Sequence, residues 1–104
     1  MATLNWTIAD SEGSLFSRGK HDNYAIIIRR IPENQPKDCI VELYVTDKKM
    51  TVSELEMNRD RRQIQPMSRS IVSASLPSTE ISEAVESMKI TAENRENEMT
   101  NTYP

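Results

Sequence analysis

Tyr24-Ala25-Ile26-Ile27-Ile28-Arg29-Arg30-Ile31 constrains the fold more than any other stretch of this 104-residue chain. Side chains of an extended segment alternate between two faces. Tyr24, Ile26 and Ile28 therefore share one face, and Ala25, Ile27 and Ile31 the other. Both faces are apolar, which is the pattern of a strand covered on both sides, in the middle of a sheet. Isoleucine suits a pleated surface. Pro32 has no N–H to give to a ladder and ends the run. Arg29 and Arg30 point in opposite directions and mark where the strand leaves the core, their stems covering its edge.

The flanking segments supply partners for such a strand. Leu4, Trp6 and Ile8 alternate with Asn5 and Thr7, giving a strand over 4–9 with one buried face. Asp10-Ser11-Glu12-Gly13 reads as a turn, with glycine available for a positive φ. Residues 14–18 form a short second strand, and Gly19-Lys20-His21-Asp22-Asn23 turn the chain again. After a polar loop over 32–38, Cys39, Val41, Leu43 and Val45 alternate with Ile40, Glu42, Tyr44 and Thr46. Short connections make these four strands an antiparallel meander.

Residues 50–57 have two parses. A helix would start on the capping box of Thr51 and Glu54. Its apolar positions 52, 55, 57 and 64 make a poor stripe, so a fifth strand is the favoured reading. Residues 58–70 read as a long polar connection, and Ile71–Leu76 as a last strand. Pro77-Ser78-Thr79 then opens a helix, with Ser78 or Thr79 as N-cap and Glu80 and Glu83 near its positive end. Ile81, Val85, Met88 and Ala92 make one narrow apolar stripe. The expected fold is α+β: a small antiparallel sheet of four to six strands (residues 1–76), a C-terminal amphipathic acidic helix (77–97), and a short tail (98–104) that frays. The helix packs either on the sheet or on a second subunit, with Ile81, Val85 and Met88 as the dimer face in the second case. A homodimer is expected, helped by the arginines of residues 59–69.

Charge is segregated. Residues 1–75 hold 11 of the 13 Lys and Arg and 10 of the 16 acids, a net of +1. Residues 76–104 carry Lys89 and Arg95 against six glutamates, a net of −4. The total of −3 is too mild for a mimic of DNA. A lone cysteine, Cys39, does not suit a disulfide framework. The N-terminal residues lack a basic region followed by an apolar stretch, and no run nears the roughly 20 apolar residues of a membrane span. A soluble cytoplasmic protein without membrane contact is expected.

Residue chemistry points away from catalysis. One histidine, His21 in a turn, and one cysteine in a strand cannot build a tetrahedral zinc site. Nor do they suggest a nucleophile with its base. Both glycines sit in turns, so no phosphate loop is present. The expectation is a non-enzymatic protein without metal or cofactor. Its candidate contacts are Arg59, Arg61, Arg62 and Arg69, four guanidiniums within eleven residues, with Tyr44 as an exposed aromatic anchor. They meet an acidic protein surface or the chain's own Glu-rich helix. Nucleic acid is the alternative ligand, set against the lack of aromatic residues between Tyr44 and Tyr103 for stacking.

Short strands carrying Trp, Tyr and Ile, followed by an acidic helix and a polar tail, look like many small accessory proteins of phages and other mobile elements. That resemblance of style implies an inhibitor-like role: binding a host protein and blocking or redirecting it.

Overall fold

A computed structural model describes residues 4–31, 38–46, 52–60, 64–73 and 79–102. Its side chains are described except at Arg30, Ile31, Asp38, Val52, Glu56, Arg59, Asp60, Ser73 and Thr79. The elements are β1 (Thr7–Ile8), β2 (Leu15–Arg18), β3 (Asn23–Ile31), β4 (Asp38–Thr46), α1 (Val52–Asp60), β5 (Ser68–Ser73) and α2 (Thr79–Thr102). The five strands form one antiparallel meander in the order β1-β2-β3-β4-β5. The α+β class, the meander and the C-terminal helix are as the sequence suggests. No described helix is long and apolar enough to cross a membrane.

β3 is the middle strand, and both its faces are buried. On the inner face, Tyr24, Ile26 and Ile28 pack with Val41 and Leu43 of β4 and with Val85, Met88 and Ala92 of α2. Ile81 packs against the margin of this cluster. The narrow stripe of α2 is thus used by the chain's own sheet. The dimer face proposed on Ile81, Val85 and Met88 is corrected accordingly: these side chains hide apolar area inside one subunit. Each fully buried aliphatic side chain contributes about 1.5–3 kcal/mol.

On the outer face, Ala25, Ile27 and Tyr44 pack with Leu55 of α1, and Phe16 and Ile64 lie at the margin. Here the fifth-strand reading of 50–57 is overturned, because residues 52–60 are helical. The helix begins one residue after Thr51, and Glu54 sits in its first turn, where the helix dipole favours an acid. One deeply seated Leu55, rather than a broad stripe, anchors it.

Two boundaries also move. The final strand begins at Ser68 rather than Ile71, because its partners run along β4 from Leu43↔Ser68 to Asp38↔Ser73. Residues 74–76 lie outside the described residues. α2 continues through Thr102, so residues 98–102 extend the helix, and the Thr102 hydroxyl donates to the Glu98 carbonyl at 3.0 Å.

The first hairpin illustrates how polar groups are placed. Asp10 Oδ1 accepts from the N–H groups of Glu12 and Ser14, and Gly13 takes φ 92°, which glycine adopts without steric cost. This turn sets the buried Ser14 so that its Oγ accepts from the Ile28 N–H at 2.9 Å. A side chain thereby completes the β3 ladder just beyond the start of β2.

Candidate functional site

Two polar clusters stand out, one on each face of the sheet. The first joins the turn between β2 and β3 to α2. Glu96 falls four residues after Ala92, on the line of the apolar stripe, and is only 1% exposed. Its carboxylate accepts from the Tyr24 hydroxyl at 2.7 Å and from the backbone N–H groups of His21, at 2.8 Å, and Lys20. Arg95 donates to Asp22 Oδ2 at 2.7 Å and to the Tyr24 hydroxyl at 3.1 Å. Its guanidinium carbon lies 5.9 Å from the centre of the Tyr24 ring, within cation–π range.

Protonation in this cluster is locked. Burial pushes the Tyr24 hydroxyl up to about 12, and its bond to Glu96 acts the same way. Burial alone would raise Glu96, but hydrogen bonds from Tyr24, His21 and Lys20 outweigh it and hold the carboxyl below its ordinary value. Burial works against the charge of Arg95, yet its bonds to Asp22 and Tyr24 raise it above the usual arginine value. All three groups move away from neutral pH, opposite to what a general acid or base requires. The cluster is a clasp between turn and helix. Gly19 lies inside it: an added Cβ would stand 2.6 Å from the Asp22 carbonyl oxygen and 2.8 Å from Glu96 Oε2.

The second cluster lies on the outer face, at the β5 side. Register places Ile27, Glu42 and Arg69 in one row across β3, β4 and β5, and Arg29, Ile40 and Ile71 in the next. Arg29 Nη2 donates to Glu42 Oε1 at 3.1 Å, and Arg69 Nε stands 4.0 Å from Glu42 Oε2. The carboxylate is buried, whereas the Arg29 and Arg69 side chains are 43% and 54% exposed. Among the described residues, this one buried acid holds Arg29 by a hydrogen bond and stands near Arg69, so two cations meet a single carboxylate. Ile71, 59% exposed, adjoins them. Guanidinium N–H groups beside an open aliphatic surface suit a carboxylate-bearing ligand.

Of the residues singled out from sequence, Arg69 belongs to this cluster. It meets Glu42 of β4 rather than the Glu-rich helix. Tyr44 is 2% exposed, packed with Leu55, so its role as an exposed anchor is corrected. The helix over a segment read as a strand is what covers it. Arg61 and Arg62, and the Arg59 side chain, lie outside the described residues. Arg29 is more than a strand-exit residue, and its sign in the sequence is Glu42, an acid between Ile40 and Tyr44 on the mixed face of β4 that needs a cation nearby. The clasp also had a legible sign, a glutamate at an apolar stripe position. His21 does lie in a turn, but half-buried, with its backbone N–H on Glu96.

Among the described residues, no group of three or more His, Cys, Asp or Glu is placed to hold a metal ion. In comparisons with known proteins, no family model, no curated protein and no solved structure matches this chain.

Proposed function

We propose that this chain is a non-enzymatic binding module whose partner is another protein, held on the outer face of the sheet through Arg29, Arg69 and Ile71. The observation that supports the reading is a pair of half-exposed guanidiniums beside one buried carboxylate, Arg29 hydrogen-bonded to it and Arg69 near it, next to an exposed isoleucine. Arginine is among the residues that dominate interface energetics, and an arginine already oriented loses less freedom on binding. Two cations beside a single carboxylate select an acidic surface. Binding there would block or redirect the partner, the mode of small accessory proteins that act on a host protein. The buried, unpaired Cys39 suits a reducing compartment, and we place the protein in the cytoplasm. With the α2 stripe occupied, a homodimer would form through the β1 edge, where Ile8 is exposed, instead of a helix pair.

The test is affinity capture with the full chain from cells of its native host. A stoichiometric protein partner is expected. Recovery of none contradicts the proposal. Nucleic acid is separated from protein by salt: phosphate contacts release counterions, so binding to mixed DNA or RNA that weakens steeply with salt would favour the nucleic-acid reading instead.

A further inference from the structure

Resting on the outer-face reading, a second feature of the same corner defines how the partner approaches. β5 is the last strand of the sheet, and among the described residues it pairs with β4 alone. Its sequence, Ser68-Arg69-Ser70-Ile71-Val72-Ser73, contains no proline to interrupt an incoming ladder. An edge strand offers a row of backbone donors and acceptors to any extended chain beside it. On its outer face, Arg69 and Ile71 are two residues apart and both more than half exposed. Consecutive outward side chains of an added strand would fall beside them in the same two-residue rhythm. We infer that the outer edge of β5 takes an extended acidic segment of the partner as a sixth strand, with a carboxylate on Arg69 and an aliphatic or β-branched side chain on Ile71.

Charge chooses between occupants. Two copies joined edge to edge would bring a second Arg69, rather than an acid, to the seam, with Arg29 set two strands back on β3. A segment that sets one Asp or Glu beside Arg69 supplies the missing acid. Backbone pairing supplies the affinity, and the side chains at Arg69 and Ile71 supply the selection.

The experiment pans a random peptide library on the full chain and follows backbone amide exchange with an enriched peptide. Enriched sequences are expected to carry an acidic residue and an aliphatic or β-branched residue two positions apart, on one face of the added strand. The bound peptide should slow exchange of amides within 68–73. Arg69→Ser should weaken binding about tenfold, the loss expected of a charge-assisted hydrogen bond, with exchange in β3 unchanged as the check on folding. No enrichment, or enrichment without acids, overturns the inference. So does slowed β5 exchange in a peptide-free dimer, which would assign the edge to a second copy. Should the captured partner need Arg29 and Arg69 while the β5 amides stay unprotected, the outer-face reading stands and the sixth strand falls.

Discussion

The Tyr24 hydroxyl donates to Glu96 Oε2 at 2.7 Å across 72 positions of sequence, tying the start of the central strand to the last third of α2. Glu96 in turn holds the turn before β3 through two backbone N–H groups. Tyr24→Phe removes the hydroxyl that links Arg95 to Glu96. Leaving buried polar groups short of a partner costs about 1–3 kcal/mol, so the unfolding free energy should fall by that amount and the urea midpoint should drop accordingly, with no change in slope.

The same pair sets a pH dependence with opposite signs at the two ends. The folded-state value of Tyr24 is raised from 10.0 to about 12. Its contribution is therefore complete below pH 10 and is lost as the pH rises towards 12. Glu96 is depressed, so its contribution is present above the ordinary carboxylate value and is lost as the pH falls through its lower folded value. Urea unfolding across pH should show the alkaline loss in the wild type and a smaller one in Tyr24→Phe. Glu96→Gln should likewise flatten the acid limb.

The two glycines should respond differently to alanine. At Gly19 the new Cβ would meet the Asp22 carbonyl oxygen at 2.6 Å, and backbone cannot swing away as a side chain tip can. Overpacking of this kind costs about 1–3 kcal/mol and should loosen the clasp. At Gly13 the nearest atom is 3.9 Å away, and the cost of about 1–2 kcal/mol comes from φ 92° alone. Thermal unfolding ranks the two, and amide exchange at His21 should quicken only for Gly19→Ala.

Ser14→Ala should unsatisfy one specific backbone group. The Ile28 N–H loses its acceptor inside the core, at a cost of about 1–3 kcal/mol. Faster amide exchange centred on Ile28, with the Val85 and Met88 packing retained, is the expected signature.

Leu55→Ala tests the outer cover. Removing a buried leucine costs about 2–5 kcal/mol, and the Tyr44 ring beside it should become accessible. Tyrosine near-ultraviolet circular dichroism should weaken more for this variant than for Ser14→Ala.

β3 was legible as the central strand because its apolar residues fill both faces, and the meander followed from short turns. A strand covered on both faces needs two covering layers, and the periodic pattern marks only α2 as a helix. The second layer had to come from residues 50–60, where one leucine on a polar helix gives almost no periodic signal. β5 is placed by pairing along β4, so its polar half, Ser68 to Ser70, carried no hydrophobic mark. The outer cluster was half legible: Arg69 stood out in an arginine-rich stretch, while Arg29 and Glu42 join it only through strand register.

The most direct measurement compares partner capture by the wild type with capture by the Arg29→Ser, Arg69→Ser double variant, both verified as folded by circular dichroism. Losing both cations would leave the buried Glu42 carboxylate unpaired, so the double variant also carries Glu42→Gln, which spares that cost and keeps the fold. The wild type should retain a stoichiometric protein partner, and the double variant should lose it, by a factor of about 100 if each charge-assisted contact contributes tenfold. Equal capture by the two chains would contradict binding through the outer face.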